Sequence, residues 1–257
     1  MAPLLSIVIP AFNEEKTLAR VIDKLTSINL EMEILIVDDA STDSTPALIQ
    51  ALRRTHPNLR AIRHEKNGGK TAALKTGLAE TIGKIVLIQD ADLEYDPSDI
   101  PFLIEPIVEG NASVVYGSRF LVRRAARVVY FYHYVANRCL TFFSNLLTNL
   151  NMTDVETGYK AFRGDIIRNM VITSSGFGFE IEVTAKIAKL HCPVYEVPIS
   201  YYGRTYEEGK KIGMSDGVAA LWYIFKYNFL SSKSRAFRNV EKVERELSAA
   251  MLENRSM

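Results

Sequence analysis

The sequence predicts an α/β fold, in which a mostly parallel β-sheet carries helices on both of its faces. Short apolar runs alternate with segments of helical spacing through the first 117 residues. Alternation of this kind is typical of parallel sheets. Polar clusters follow the first, second and fourth apolar runs. They are therefore expected at the carboxyl ends of the strands, which is the sheet edge where α/β proteins bind ligands.

The strands and helices of this first part follow from residue type and spacing. The apolar runs that predict strands are 4–9, 32–37, 59–64, 84–89 and 112–117. The segments between them predict helices, and Pro46 suits the first turn of one. These helical segments are 14–27, 45–55, 70–82 and 98–109.

After residue 118 the pattern predicts amphipathic helices and one more strand. Segment 123–150 has helical spacing, with one apolar face and one face of Asn, Thr and Ser. A strand is predicted at 193–200 and an apolar helix at 215–230. The apolar face of the long segment comprises Val128, Phe131, Tyr132, Val135, Cys139, Phe142, Phe143, Leu146 and Leu147.

The charged tail that follows Ser231 is expected to be a solvated, mobile helix. We therefore expect a catalytic domain over residues 1–230 and a separate tail over 231–257.

Composition excludes several classes of protein. The chain has 257 residues, of which 47% are hydrophobic and 24% charged, as in globular proteins with a large core. A formal net charge of +1 gives no field that would attract nucleic acid. Cys139 and Cys192 lack metal or redox spacing, which favours a reducing, cytoplasmic setting. Neither a signal peptide nor a transmembrane helix is predicted.

A dense group of carboxylates follows the fourth predicted strand, in "VLIQDADLEYDP" (86–97). Asp90, Asp92, Glu94 and Asp96 stand at every second position. Such groups repel one another and raise each other's pKa. A divalent cation would remove the conflict, because hard ions take carboxylate oxygens as ligands. The alternative is a solvated turn before Pro97.

Two common nucleotide-binding motifs are absent. "GFGFEI" (176–181) begins like the dinucleotide pattern GxGxxG but has Ile181 in place of the third glycine. "NGGKTAALKTG" (67–77) contains GKT, yet His64 stands where a P-loop needs its first glycine. Gly68 and Gly69 before a helix could still bind an anion, or simply start the helix.

The ordered set of motifs resembles the inverting GT-A glycosyltransferases of the large family 2, which use nucleotide-diphosphate sugars. These motifs are "PAFNEE" (10–15), "VDDASTD" (37–43), "NGGKTAALKTG" (67–77) and "DAD" (90–92). Later motifs resemble the polyprenyl-phosphate hexosyltransferase branch, to which dolichyl-phosphate mannose synthases belong. They are "YGSRF" (116–120), "DVETGYKAFR" (154–163), "GFGFEIE" (176–182) and "VPISYYGRTYEEGKKIG" (197–213).

The resemblance covers about residues 4–230. It implies a GT-A fold, with the nucleotide sugar bound by residues 1–117 and the acceptor by 118–230. Many relatives carry transmembrane helices after the catalytic domain, and none is predicted here.

The resemblance implies roles for individual residues on the donor side. It implies that a nucleotide sugar is bound by Pro10, Phe12, Glu14, Val37, Asp39, Asp90, Ala91, Arg204 and Lys210. Asp39 would hydrogen-bond the base, whereas Asp38 is expected to support the turn. Asp92 is the implied main ligand of Mg²⁺ or Mn²⁺, with Asp90 and Glu94 as further ligands.

Arg204 and Lys210 fit a lid that clamps the diphosphate, with Gly203 and Gly209 as hinges. The alternative is a basic surface loop.

The acceptor side leaves two alternatives open. Arg119 is the candidate for holding an acceptor phosphate, because a guanidinium fork matches phosphate geometry. A lipid phosphate needs no base, since its second pKa is about 6. A hydroxyl acceptor would need one, and Asp154 and Glu156 are the candidates. Both could instead cap a helix or bind arginines.

The apolar face of segment 123–150 also has two explanations. It could pack on the sheet, lie in a membrane interface, or do each in a different segment of the helix. Basic and aromatic neighbours favour the interface, with a second basic contact after the last apolar helix. These residues are Arg123, Arg124, Arg127, Tyr130, Tyr132, Tyr134, Lys233, Arg235 and Arg238.

The function expected from these features is metal-dependent transfer of a hexose, with inversion, from a donor of the GDP-mannose or UDP-glucose type to a polyprenyl or dolichyl phosphate. The protein is expected to be peripheral at the cytoplasmic face of a membrane, on its surface or with an anchoring partner. Nucleic acid is not expected as a partner. The alternatives are a soluble transferase with a hydroxyl acceptor and a non-catalytic nucleotide-sugar-binding subunit. The presence of Asp92, Arg204 and Lys210 argues against the last.

Overall fold

The computed structural model describes residues 2–121, 130–176, 178–203 and 214–255. Its strands are β1 (Leu5–Ala11), β2 (Met32–Asp38), β3 (Leu59–Arg63), β4 (Ile85–Ile88), β5 (Val114–Ser118), β6 (Lys160–Arg163) and β7 (Val194–Pro198). They form a seven-stranded sheet in the order β3-β2-β1-β4-β6-β5-β7. All neighbours pair in parallel except β6, which is antiparallel to β4 and β5. The predicted α/β fold is confirmed.

Helices cover both faces of this sheet. They are α1 (Leu18–Thr26), α2 (Thr45–Thr55), α3 (Lys70–Ala79), α4 (Ile100–Val108), α5 (Phe131–Thr148), α6 (Gly164–Asn169), α7 (Phe179–Ala188), α8 (Met214–Phe229), α9 (Lys233–Ala236) and α10 (Val240–Arg255). Strand β6 and helices α6 and α7 are additions to the sequence prediction.

The core consists of two apolar layers, one on each face of the sheet. Side chains alternate along a strand, so Ile7 and Ile9 of β1 pack under α1 and α4, whereas Val8 faces α3. Gly77 allows α3 to approach closely, because a Cβ atom there would lie 2.4 Å from Cγ1 of Val8. Burial of each large apolar side chain stabilises the fold by about 1.5–3 kcal/mol.

Strand β6 runs antiparallel to both of its neighbours, and this direction determines where the segment before it lies. Its first residue, Lys160, lies at the edge of the sheet where the parallel strands end. The backbone N–H of Gly117 donates to the carbonyl oxygen of Tyr159 at 2.8 Å. Segment 153–159, which precedes β6, is therefore brought beside the ends of β4 and β5.

Helix α5 buries its polar face and exposes its apolar face, which is the reverse of what core packing would give. Its buried residues are the polar Asn137, Thr141 and Ser144. Phe142 is 62% exposed and Thr141 only 2%. The explanation that this apolar face packs on the sheet is therefore wrong for the described residues from Phe131 to Leu146, whereas Leu147 packs against a small apolar cluster. The physical reason is that the inner face meets segment 152–155, whose polar groups need hydrogen-bond partners.

The tail differs from the expected solvated helix. Ala236, Phe237, Val243 and Leu247 are buried in the second core layer, and α10 contacts α6. Val240, Val243 and Leu247 of α10 are three and four positions apart, so they form a stripe that packs on the domain. In the ranges described above, no helix combines the length and apolarity needed to cross a membrane.

Candidate active site

Backbone strain marks one edge of the sheet. The loops after β1, β2 and β4 each contain a non-glycine residue with positive φ: Asn13 at 58°, Ala40 at 60° and Leu93 at 63°. Such conformations cost about 1–3 kcal/mol each and tend to occur at functional sites. These loops are the polar clusters identified in the sequence, and all three lie at the carboxyl ends of parallel strands.

The first two loops are fastened to each other by hydrogen bonds. The N–H of Asn13 donates to Ser41 Oγ at 2.9 Å, and its Oδ1 accepts from the N–H of Thr42 at 2.9 Å. The N–H of Glu14 donates to Thr45 Oγ1 at 2.9 Å. The "PAFNEE" and "DDASTD" motifs therefore form one ordered wall.

Other residues implied in nucleotide binding differ in exposure. Phe12 is exposed just after β1, and Pro10 is half-buried within it. Val37 pairs with Pro10 in the sheet and has no exposed surface. Ala91 is also buried. The side chain of Val37 therefore belongs to the core, and its backbone is the part that faces the neighbouring strand.

Asp39 anchors the start of α3. Its Oδ1 lies 2.7 Å from Nδ1 of His64 and accepts from the N–H of Gly68 at 3.0 Å, while its Oδ2 accepts from the N–H of Gly69 at 2.7 Å. An internal carboxylate thus occupies this helix N-terminus, where an anion is stabilised. A carboxylate has about four acceptor positions, so few remain on Asp39 for a hydrogen bond from a nucleobase. The neighbouring Asp38 accepts from the N–H of Ser41 at 2.9 Å, which confirms its predicted support of the turn.

Lys70 is a site residue that the sequence interpretation missed. Its Nζ lies 2.9 Å from Asp90 Oδ1 and 3.4 Å from Glu180 Oε1. Burial alone would lower the pKa of Lys70, but the two carboxylates outweigh it and raise this pKa above the ordinary value. The ammonium group is therefore a fixed positive charge between the β4 loop and α7. In the sequence, the feature that points to this role is Lys70 directly after Gly69, a pair that also occurs in P-loops.

The alternating carboxylates after β4 have separate partners. Asp90 pairs with Lys70, and Asp96 pairs with Lys24 at 3.2 Å. Asp92 Oδ1 accepts from the N–H of Glu94 at 3.0 Å. Glu94 Oε2 accepts from the hydroxyl of Tyr201 at 2.8 Å. Like-charge repulsion is therefore relieved in part by lysines, and it is a weaker argument for a metal than the sequence suggested.

The chemistry of the remaining donors nevertheless fits a hard divalent cation. The described part of the chain has no group of three or more His, Cys, Asp or Glu side chains that could hold a metal. An ion that binds with a nucleotide needs only one or two protein carboxylates, since phosphates and water complete its shell. Asp90 and Asp92 supply such oxygens at the end of β4, whereas Glu94 is directed to Tyr201.

The segment that leads to the predicted lid is fixed on the β4 loop. The N–H of Tyr202 donates to the carbonyl oxygen of Glu94 at 2.8 Å, and Tyr201 forms a bridge with Tyr95. The N–H of Ser200 donates to Asp99 Oδ2 at 2.6 Å. Several predicted residues lie outside the described residues: Arg123, Arg124, Arg127, Val128, Arg204, Gly209 and Lys210.

Arg119 forms an ion pair with the fully buried Asp154 at the end of β5. Nε and Nη2 of Arg119 donate to the two carboxylate oxygens at 2.7 Å each, and Asn137 Nδ2 donates to Oδ1 at 3.0 Å. Burial would raise the pKa of Asp154, but Arg119 outweighs it and lowers this pKa. Asp154 therefore binds an arginine, which is one of the alternatives left open, and its acceptor positions are largely occupied.

Glu156, the other candidate base, differs from Asp154 in its hydrogen bonding and in the direction of its pKa shift. Its buried Oε1 has no hydrogen-bond partner among the residues described. Burial, reinforced by the charge of Glu180, raises its pKa to about 7. The nearby Lys160 is fully buried, which lowers its pKa to about 8. Glu156 can therefore gain or lose a proton near neutral pH.

Comparison with known proteins identifies the architecture. The chain is 21% identical to glucosyl-3-phosphoglycerate synthase from Mycobacterium tuberculosis, solved with Mn²⁺, UDP and phosphoglyceric acid, with a TM-score of 0.64 over 90% of this chain and 81% of that one. A mannosyltransferase from Pyrobaculum calidifontis, in complex with GDP-Man and Mn²⁺, gives a TM-score of 0.58 at 18% identity over 99% and 71% of the two chains. The GT-A fold implied by the motifs is confirmed.

Sequence relatives agree with the fold. The chain is 28% identical over 225 residues to undecaprenyl-phosphate mannosyltransferase of Micrococcus luteus, an alignment that covers 83% of this chain and 90% of that protein. It is also 28% identical over 212 residues to dolichol-phosphate mannosyltransferase of Pyrococcus furiosus, covering 81% of this chain and 59% of that protein. The model of the family described as "Glycosyl transferase family 2" matches residues 6–171. The chain belongs to glycosyl transferase family 2.

Proposed function

We propose that the chain transfers a hexose from a GDP- or UDP-activated sugar to a polyprenyl or dolichyl phosphate, with inversion at the anomeric carbon. An anionic phosphate oxygen of the acceptor attacks that carbon, while its bond to the nucleoside diphosphate breaks. The products are a polyprenyl-phosphate hexose and a nucleoside diphosphate. No base is needed, because a phosphate monoester has a second pKa of about 6.

The observation that carries this proposal is the pairing of Arg119 with Asp154. The pairing uses the Nε and Nη2 edge of the guanidinium, and Nη1 belongs to the opposite edge. A guanidinium held in this way keeps both its charge and its orientation, as phosphate binding requires. The same pairing occupies Asp154, one of the two candidate bases for a hydroxyl acceptor. The undecaprenyl-phosphate and dolichol-phosphate relatives support the same acceptor class.

We assign binding of the nucleotide sugar to residues 1–117 and binding of the acceptor to residues 118–230. Arg204 and Lys210 clamp the diphosphate in this proposal. Glu94 holds the segment that leads to this lid through its contacts with Tyr201 and Tyr202. The proposed nucleotide contacts are Pro10, Phe12, Glu14, the Val37 backbone, Asp39, Asp90 and Ala91.

Asp92 is the proposed ligand of a Mg²⁺ or Mn²⁺ ion, with Asp90 beside it. When bound, such an ion neutralises charge on the departing diphosphate as a Lewis acid. Lys70 Nζ lies 2.9 Å from Asp90 Oδ1 and so fixes the position of this carboxylate. The two solved structures of the same fold that contain both Mn²⁺ and a nucleotide support metal use.

Membrane location follows from the acceptor. A polyprenyl phosphate resides in a bilayer, so we place the protein at the cytoplasmic face of a membrane as a peripheral enzyme. It would work on the membrane surface or with an anchoring partner. The donor would then arrive from solution and the acceptor from the lipid phase.

A hydroxyl acceptor is the second candidate, and Glu156 is the observation that favours it. A pKa of about 7 suits a general base. In that case Glu156→Gln should lower kcat by roughly 100-fold or more. With a phosphate acceptor the nucleophile is already ionised, and the same variant should keep most of its activity.

The test is release of nucleoside diphosphate from a panel of GDP- and UDP-sugars. We expect release to require both a divalent metal and a short polyprenyl phosphate. Asp92→Asn should lose roughly 100-fold or more, whereas the control Asp96→Asn, whose carboxylate pairs with Lys24, should change little. Equal release with unphosphorylated polyprenol would favour the hydroxyl acceptor. Donor binding without release under any condition would favour the non-catalytic subunit.

A further inference from the structure

We propose that Tyr201 is a positioning residue for both substrates, whose ring orients Arg119 for the acceptor and whose hydroxyl fixes the donor-side loop through Glu94. This inference rests on the proposed function, in which Arg119 holds the acceptor phosphate. Tyr201 follows β7 and precedes the predicted lid. Its ring and its hydroxyl make separate contacts, so the two parts of the role can be tested separately.

The ring of Tyr201 packs on the guanidinium of Arg119. Cζ of Arg119 lies 5.3 Å from the centre of this ring, which is within the reach of a cation–π contact. Asp154 holds one edge of the same guanidinium through Nε and Nη2. Phe120 also packs on it, at 5.8 Å, but as the next residue in the chain it is placed by the local backbone. A planar group that is held at one edge and packed against a ring is restricted in its rotation, so its Nη1 corner keeps one direction.

The hydroxyl of Tyr201 contacts the donor-side loop that follows β4. It donates to Glu94 Oε2 at 2.8 Å, and the N–H of Tyr202 donates to the carbonyl oxygen of Glu94 at 2.8 Å. The N–H of Glu94 in turn donates to Oδ1 of Asp92, the proposed metal ligand, at 3.0 Å. Hydrogen bonds therefore connect Tyr201 with the proposed metal ligand through a single residue.

Neighbouring residues fix the ring of Tyr201 itself. Tyr201 forms an antiparallel bridge with Tyr95, and the centres of the two rings are 5.5 Å apart. Tyr95 stacks on Tyr159 at 5.1 Å, and its hydroxyl accepts from the N–H of Gly158 at 2.8 Å. Gly203 allows the chain to fold closely over the ring, because a Cβ atom there would lie 2.7 Å from Cε1 of Tyr201. A side chain packed in this way is a rigid support, as the orientation of a binding group requires.

Two variants at this position separate the ring from the hydroxyl. Tyr201→Phe keeps the ring and removes the hydroxyl. Tyr201→Met removes both and fills much of the space with a flexible chain. The control is Tyr195→Leu, because this tyrosine lies on β7, is 45% exposed and is outside the proposed site.

Steady-state transfer to a short polyprenyl phosphate gives a KM for each substrate. We expect Tyr201→Met to raise the KM of the acceptor about tenfold or more, because a reoriented guanidinium binds phosphate less well. Tyr201→Phe should keep the KM of the acceptor within about twofold of the wild type and raise that of the donor about three- to tenfold, because it loses the bond to Glu94. Tyr195→Leu should match the wild type in both.

The division between KM and kcat distinguishes positioning from a merely structural role. A side chain that only stabilises the fold would change the amount of active enzyme, which lowers kcat and leaves both KM values unchanged. A fall in kcat alone for Tyr201→Met would therefore overturn the proposal. An acceptor KM raised equally in Tyr201→Phe and Tyr201→Met would overturn the role of the ring, and an unchanged donor KM in Tyr201→Phe would overturn that of the hydroxyl.

An NMR measurement tests the ring contact without turnover. The Nε–H signal of Arg119, assigned through its loss in Arg119→Lys, should carry a ring-current shift from Tyr201 in the wild type and in Tyr201→Phe. This shift should disappear in Tyr201→Met, and equal signals in all three proteins would overturn the contact. If circular dichroism shows that Tyr201→Met folds poorly, Tyr201→Leu removes the ring instead, and the donor KM of Tyr201→Phe, which lacks one oxygen atom, still tests the hydroxyl.

The NMR result also separates this inference from the proposed function. A ring-current shift that depends on Tyr201, in a wild type that transfers no sugar to a polyprenyl phosphate, would overturn the proposed function but leave the positioning of Arg119 in place. Transfer by the wild type without such a shift would do the reverse.

Discussion

Lys70 joins the β4 loop to α7 through its charge. Lys70→Met would leave Asp90 and Glu180 facing each other without a cation. The pair is only partly exposed, so we expect a loss of about 1–3 kcal/mol in the free energy of unfolding. Lys70→Arg keeps the charge and should recover at least half of the loss. Urea denaturation of the three proteins measures this, and a Lys70→Met variant as stable as the wild type would contradict the assigned charge.

Glu156 should make stability depend on pH. Its pKa is raised from 4.5 to about 7 in the folded protein, so the folded state binds more protons between these values. Stability should therefore fall as pH rises through this window and level off above it. Glu156→Gln removes the effect. At pH 8 it should exceed the wild type by on the order of 2 kcal/mol, and at pH 5 by less than half of that. An equal difference at both pH values would contradict the raised pKa.

The roles of some site residues could be predicted from the sequence. The polar loops after β1, β2 and β4 could be predicted because each follows its strand directly. The Lys70–Asp90 and Arg119–Asp154 pairs could not, since their members are 20 and 35 positions apart. A single sequence contains no periodicity that links such positions. The crossing of β6 between β4 and β5 helps to bring Asp154 to Arg119.

Among the secondary-structure elements, α5 allows a test of which of its two faces contributes to the stability of the fold. Thr141 and Phe142 are adjacent but face opposite ways. Thr141→Leu should cost about 1–3 kcal/mol, because the hydroxyl donates to Asn137 Oδ1 and accepts from the N–H of Val155. Phe142→Ser should change stability by no more than about 0.5 kcal/mol. Denaturant unfolding compares the two, and the reverse order would return the apolar face to the core.

Short elements escaped prediction for a physical reason. Strand β6 has four residues and α6 has six, which is too short for a hydrophobic period to appear. The amphipathic pattern of α5 gave the helix correctly but not its orientation. An apolar face usually turns inward, and here the buried partner is polar.

For the molecule as a whole, α10 should be part of one cooperative unit. Leu247 is buried in the second core layer. Leu247→Ala should therefore lower the free energy of unfolding by about 2–5 kcal/mol. Ser248→Ala, at the adjacent exposed position, is the control and should have little effect. A Leu247→Ala variant that unfolds like the wild type would restore the expectation of a separate tail.

The fold class could be predicted because strand–helix alternation is periodic and extends over much of the chain. The packing of the tail could not, since Val243 and Leu247 lie among charges that also suit a solvated helix. Their burial depends on the apolar surface offered by α6, which is distant in the sequence. Long-range packing of this kind is the part that local patterns do not contain.

The most direct test of the central claim is the identity of the product formed from labelled nucleotide sugar and a short polyprenyl phosphate. We expect label in the organic phase as a sugar phosphodiester, which mild acid hydrolyses because the anomeric carbon carries a phosphate. Its anomeric configuration should be opposite to that of the donor. Label found only on a water-soluble hydroxyl acceptor, together with an inactive Glu156→Gln variant, would contradict the account.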